Sequence, residues 1–120
     1  MKKLTLVVDD EASFADALAE RLQMRGYPTL VAYDAKSAMA IMEKNPPERM
    51  VLDLRLPDLD GIDVLRWVKE RRPQTRVVVV TGHGSEEDRT LCMDLGAHAF
   101  LNKPVKIEDL SRALEGEKLP

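Results

Sequence analysis

The stretch Arg76-Val77-Val78-Val79-Val80-Thr81-Gly82-His83-Gly84-Ser85-Glu86-Glu87-Asp88 carries the pattern of a buried strand turning into a helix. Its four consecutive valines are apolar at every position instead of every second one. A strand reads that way when both of its faces are buried, the usual condition of a parallel sheet covered by helices. Gly82-His83-Gly84 breaks the strand. Ser85 followed by three acids is then a helix start, a capping hydroxyl with negative charge set at the positive end of the helix dipole.

The same unit recurs on both sides. Leu4–Val8 reads as a first strand running into Asp9-Asp10-Glu11, and Phe14, Ala17, Leu18 and Leu22 follow at helical spacing with Gly26 as the stop. Thr29–Ala32, entered after Pro28, is an edge strand, and Asp34 caps a second helix that ends before Pro46-Pro47. Met50–Leu52 is a third strand closing on Asp53. The loop Leu54–Asp60 leads to a third helix carrying Ile62, Leu65, Trp67 and Val68. Gly96 ends the fourth helix, Ala99–Leu101 is a fifth strand, and Ile107–Leu114 a fifth helix. Five strands each followed by a helix predict an α/β fold, a flavodoxin-like (βα)5 doubly wound parallel sheet with strand order 2-1-3-4-5.

Length and composition bound the function. The 120 residues make one domain, with structure expected over about 1–116 and a tail or linker start over 117–120. An apolar fraction of 44% and a charged fraction of 32% describe a folded chain, not a disordered one. Eighteen basic against twenty-one acidic residues, a net charge of -3, give no reason to expect direct nucleic acid binding. One cysteine, Cys92, excludes an internal disulfide. No apolar run approaches a bilayer span, and Met1–Val8 is too short and too soon acidic for a signal peptide. The expectation is a soluble cytoplasmic domain.

Polar residues collect where the strands end. Asp9 and Asp10 follow strand one, Asp53 follows strand three, Thr81 ends strand four and Lys103 lies just past strand five. In the order 2-1-3-4-5 these strands are neighbours, and open α/β sheets bind ligands at their carboxyl ends. Singly, each acid reads as a helix cap and Lys103 as a surface lysine. Together they do not, because a lysine cannot cap a helix N-terminus and caps do not need three converging acids. Three adjacent carboxylates call for a cation, and an oxygen-rich, partly hydrated set suits Mg²⁺. A carboxylate can also attack phosphorus to give an aspartyl phosphate, with lysine and hydroxyl engaging the phosphoryl oxygens.

These residues stand in segments that resemble the receiver domain of bacterial two-component response regulators over essentially the whole chain. The segments are Leu6-Val7-Val8-Asp9-Asp10-Glu11, Val51-Leu52-Asp53-Leu54-Arg55-Leu56-Pro57-Asp58-Leu59-Asp60-Gly61, Val80-Thr81-Gly82 and Gly96-Ala97-His98-Ala99-Phe100-Leu101-Asn102-Lys103-Pro104. The resemblance implies a phosphorylation-dependent switch, not an enzyme, although such a domain promotes its own phosphorylation and dephosphorylation. It implies Asp53 as phosphoacceptor and a Mg²⁺ site made by Asp9, Asp10, Asp53 and the backbone carbonyl of Arg55. It implies Thr81 as switch hydroxyl with Phe100 as its aromatic partner, Lys103 acting only on the phosphoryl oxygens, and a cis peptide at Lys103–Pro104. The implied donor is a phosphohistidine of a sensor histidine kinase or a phosphotransfer protein. The implied output surface is the face of helix four, strand five and helix five around Leu91, Phe100 and Lys106, where many receivers form homodimers. Nucleic acid and membrane are not expected partners of this domain. Thr81–Asp88 is similar to receivers that drive enhancer-dependent transcription.

Phe100 departs from the tyrosine of many receivers and lacks its hydroxyl. Two other classes fit the residues less well. A haloacid-dehalogenase-type phosphatase would carry a second acid two residues after its nucleophile, where this chain has Arg55. A pure interaction module would not need Asp10, Asp53, Thr81 and Lys103 together. Of the remaining residues, His83 reads as a loop residue, His98 as structural, Cys92 as a buried hydrophobe, Trp67 as partly buried packing and Asp60 as a helix cap in preference to Asp58.

Overall fold

A computed structural model of the chain describes residues 4–118. The elements alternate as β1 (Thr5–Val8), α1 (Ala12–Met24), β2 (Thr29–Ala32), α2 (Ala35–Lys44), β3 (Arg49–Leu52), α3 (Gly61–Arg71), β4 (Arg76–Thr81), α4 (Glu86–Asp94), β5 (Ala99–Asn102) and α5 (Ile107–Leu114). The strands form one parallel sheet in the order β2-β1-β3-β4-β5. The expected topology is therefore found, with β2 at an edge.

Strand residues alternate between two cores. Leu6, Val8, Met50, Leu52, Val77 and Val79 point to one face, against α2, α3 and α4 through Ala38, Met42, Val64, Leu65, Val68 and Cys92. Val7, Val51, Val78 and Val80 point to the other, against Ala15, Leu18 and Leu22 of α1 and Leu110, Ala113 and Leu114 of α5. The valines of β4 are between 0% and 1% exposed, as a strand with both faces covered must be.

Boundaries differ from the sequence reading by a residue. Strand three starts at Arg49, whose amide reaches Leu4 O at 3.3 Å and whose Nε donates to Leu114 O at 2.9 Å, so a charged residue is held in the sheet by its partners. Strand five runs on to Asn102, which pairs with Thr81. In α3 the buried side chains are Val64, Leu65 and Val68, while Ile62 and Trp67 are only partly covered. Glu117, placed in the expected tail, is tied down: its amide donates to Arg112 O, and its carbonyl lies 2.9 Å from His98 Nε2. Residues 1–3 and 119–120, and with them the outer ends of the expected domain, lie outside the described residues.

Two buried side chains give tests of this packing. Thr5 is wholly buried, and its hydroxyl has no hydrogen-bond partner among the described residues. Thr5→Val removes that orphaned hydroxyl at constant shape, and is expected to add about 1 kcal/mol of stability, read as a rise in Tm. A drop in Tm would mean that the hydroxyl is bonded. Cys92 is also wholly buried, and burial, with Asp88 and Asp60 adding, pushes its thiol from 9.0 up to about 11. At pH 8 the native thiol should react with Ellman's reagent more than about 100-fold more slowly than the urea-unfolded chain. Comparable rates in the two states would contradict the burial.

Candidate functional site

The sheet delivers the polar residues one position beyond its strands. The amide of Asp9 donates to Ala32 O at 3.1 Å, that of Asp53 to Val8 O at 3.0 Å, and that of Lys103 to Thr81 O at 2.9 Å. These bonds continue the ladder past β1, β3 and β5 and fix where each side chain starts. Asp53 is further fixed by α3 behind it. The Gly61 amide donates to Leu54 O at 2.8 Å, and a Cβ at Gly61 would lie 2.5 Å from the Asp53 carbonyl oxygen. Only glycine permits that approach.

Asp9, Asp10 and Asp53 converge, each offering a carboxylate oxygen within 4.8 Å of the others. Asp9 and Asp53 are 2% and 5% exposed, whereas Asp10 is open to solvent. Lys103 Nζ stands 2.9 Å from Asp9 Oδ2, 2.9 Å from Glu11 Oε1 and 3.1 Å from Asp53 Oδ2. Its ammonium also lies 4.3 Å from the centroid of the Phe14 ring. The second oxygens of the buried pair are used locally: Asp9 Oδ1 accepts from the Glu11 amide and Asp53 Oδ1 from the Arg55 amide. The Lys103–Pro104 peptide is cis, as expected.

The electrostatics are unbalanced. Burial pushes the Asp9 carboxyl above its ordinary value; Lys103 and the Glu11 amide pull it back, and Asp53 pushes it up again. Burial also works against the charge on Lys103, but Asp9, Glu11 and Asp53 outweigh it and hold the ammonium above the usual lysine range. Three carboxylates meet one ammonium, and Asp10 adds a fourth negative charge beside them. An all-oxygen donor set with this excess of negative charge fits a hard divalent cation. Lys103 thus does more than the sequence reading gave it, because it already holds two of the three acids.

Thr81 is wholly buried, and its hydroxyl accepts from the His83 amide at 3.3 Å. It borders an open cleft of about 520 Å³ that the 54–60 loop, Ile62, His83 and Asp88 also line. Phe100 corrects an expectation. It is 3% exposed, with the Arg89 guanidinium 5.1 Å from its ring centroid, so it belongs beneath the expected output surface and not on it. A Cβ at Gly84 would meet Phe100 Cζ at 2.3 Å and Thr81 Cγ2 at 2.8 Å, so ring and threonine methyl crowd the same glycine. Leu91 and Lys106 do lie on the surface.

Asp58 is drawn away from the acids. Its two oxygens accept from the amides of Ala35 and Lys36 at 2.9 and 3.0 Å, which holds its carboxyl below the ordinary range and ties the 54–60 loop to the start of α2. Asp60 caps α3 through the Ile62 amide, as read from sequence. Sequence reasoning missed Glu11 and Phe14 as partners of Lys103. Glu11 had a signal, an acid directly after the Asp9-Asp10 pair; Phe14 read only as one more apolar residue at helical spacing.

Comparison with known proteins places this geometry. A family model described as the response regulator receiver domain matches residues 5–115. The chain is 38% identical over 117 residues to the photosynthetic apparatus regulatory protein RegA of Rhodobacter capsulatus, covering 96% of this chain and 64% of RegA. It is 36% identical over 112 residues to the acid tolerance regulatory protein ActR of Rhizobium meliloti, covering 93% of this chain and 58% of ActR. The chain therefore spans less than two thirds of these relatives. Among solved structures, a CheY-like receiver domain protein from Methanospirillum hungatei JF-1 superposes with a TM-score of 0.91 at 30% identity, over 96% of this chain and 92% of that one. A response regulator from Burkholderia pseudomallei, solved with a phosphorylated aspartic acid and a calcium ion, gives 0.89 at 30% identity, over 94% of this chain and 66% of that one.

Proposed function

The chain belongs to the response regulator receiver domain family, and from that premise we propose that Asp53 is the phosphoacceptor of a signalling switch that controls transcription. The observation carrying this reading is the convergence of Asp9, Glu11 and Asp53 on Lys103 Nζ at the carboxyl ends of the strands. The Asp53 carboxylate attacks phosphorus, a new O–P bond forms, and the bond from phosphorus to the donor's leaving group breaks with its electron pair. Lys103 turns from the carboxylates to an oxygen of the arriving phosphoryl group, and the Thr81 hydroxyl donates to another. Asp9, Asp10, Asp53 and the backbone carbonyl of Arg55 would hold Mg²⁺. When bound, the cation neutralises the acids and the phosphoryl charge.

The donor is a phosphohistidine of a sensor histidine kinase or a phosphotransfer protein, which goes with a cytoplasmic setting. No helix of the described residues is long and apolar enough to cross a membrane. The same site returns the phosphoryl group to water. Phosphorylation shifts an equilibrium between two forms only by differing contacts with each, and Thr81 beside buried Phe100 supplies them. Their movement changes the α4–β5–α5 face, where Leu91 and Lys106 offer a surface for a homodimer. Incubation with acetyl phosphate and Mg²⁺ should add the mass of one phosphoryl group, and EDTA should abolish the gain. An unchanged mass with Mg²⁺ present would overturn the proposal.

A further inference from the structure

Lys103 reaches the acid pocket with an aromatic face beside it. Phe14 stands in the first turn of α1, half-buried against the core formed by Val7, Ala15 and Leu18. Its ring centroid is 4.3 Å from Lys103 Nζ, well within the distance at which a ring face attracts an ammonium. The Lys103 side chain is 15% exposed, so water screens this attraction little. We infer that Phe14 is a positioning residue, seating the Lys103 ammonium while its carboxylate partners change occupants. The inference rests on the reading that Lys103 pairs with a phosphoryl oxygen on Asp53.

The contacts of Lys103 that survive when the site fills decide where its ammonium sits. Asp9 and Asp53 are the groups that a divalent cation and a phosphoryl group would claim. The Glu11 side chain is 63% exposed, and an ion pair so open to solvent holds little. Beside that open ion pair the ring face is the contact that stays, and neither metal nor phosphoryl group can take it. It also leaves the ammonium free to move. Attraction to the ring's diffuse negative face has no single lone-pair direction, so Nζ can pass from a carboxylate oxygen to a phosphoryl oxygen and stay over the ring. An aliphatic side chain of similar volume would fill the space without this attraction.

The test replaces Phe14 in the full chain with phenylalanines carrying one, two, three and five ring fluorines. Each fluorine withdraws charge from the face and leaves the shape nearly unchanged, so folding is preserved. Two quantities are followed: the rate of labelling by acetyl phosphate at saturating Mg²⁺, and the ¹⁵N resonance of Lys103 Nζ. The rate should fall stepwise, by about two- to fivefold at the fifth fluorine, with the resonance moving in parallel. Phe14→Leu should fall to the same floor, and Phe14→Tyr should retain more than Leu does. In a Lys103→Met background the fluorinated series should be flat, since no ammonium remains to couple to. A flat series with Lys103 present overturns the positioning role, whatever Phe14→Leu does. If Lys103→Met labels and responds like the unaltered chain, the role given to Lys103 fails and this inference with it. That failure is distinguishable from loss of the ring contact, because in the chain that keeps Lys103 the Nζ resonance would still follow the fluorine count.

Discussion

Asp53→Asn is expected to take up no phosphoryl group from acetyl phosphate and Mg²⁺, while the unaltered chain gains one. The amide is close to isosteric with the carboxylate and keeps an oxygen that can accept from Lys103 at the position where Asp53 Oδ2 now does, 3.1 Å from Nζ. The α3 contact behind it, made by the backbone at Gly61, is untouched. The variant should therefore fold, and intact mass measurement after denaturation reads the result directly. What is lost is the nucleophile, since an amide oxygen is a far weaker base than a carboxylate. Lys103→Ala is the companion. It keeps the nucleophile but removes the group that meets the developing phosphoryl charge, so labelling should slow on the order of tenfold or more and the shift of the Thr81 amide on phosphorylation should shrink. Labelling of Asp53→Asn at one site and at the original rate would place the acceptor elsewhere. A full Thr81 response in Lys103→Ala would remove the lysine from the switch.

What could be read from the sequence was what neighbours along the chain determine. The valines of β4 reported two buried faces, and both were found. Ser85 with Asp88 reported a helix start, and the structure holds the full reciprocal capping box there. The carboxyl-end location of Asp9, Asp53, Thr81 and Lys103 followed from the strand order, because each lies at or just past a strand and parallel strands all end on the same side. Contacts between distant segments were not readable. Lys103 and Glu11 are 92 residues apart in the chain, and periodicity assigns Phe14 to the inner side of a helix without saying that an ammonium lies across from it. Asp58 was ambiguous for the same reason. Its two acceptors face a helix start 22 and 23 residues earlier, and a cap supplied from another segment leaves no local pattern. Phe100 was placed at the output face through the family resemblance; that its ring packs beneath that face, against the glycine at 84, is a contact between distant segments that no local pattern carries.

The acids and Lys103 also set the stability of the metal-free fold, and the signs differ from residue to residue. Asp10 is close to Asp9 and Asp53 but makes no ion pair with Lys103 among the described contacts, so its charge mainly repels. In EDTA, Asp10→Asn should melt above the unaltered chain. Asp53→Asn should melt close to it, because relief of repulsion is offset by a weakened bond to Lys103. Lys103→Met should melt lowest of the set, leaving Asp9 and Asp53 buried with no ammonium between them, a loss of about 3 kcal/mol or more. Mg²⁺ at about ten times its dissociation constant should stabilise the unaltered chain by roughly 1.4 kcal/mol through mass action, a rise of a few degrees in Tm. In Lys103→Met the gain at the same Mg²⁺ concentration should be larger. The cation no longer competes with an ammonium for the oxygens of Asp9 and Asp53, and binding should tighten at least about fivefold if the displaced ion pairs are worth about 1 kcal/mol. Asp10→Asn and Asp53→Asn should gain least, each having lost a ligand charge. Sodium chloride at matched ionic strength separates cation binding from screening, which would ease the repulsion without saturating. Equal Mg²⁺ gains in all four proteins would mean that the acids do not share a cation. A smaller gain in Lys103→Met than in the unaltered chain would mean that the lysine supports the metal site instead of occupying it.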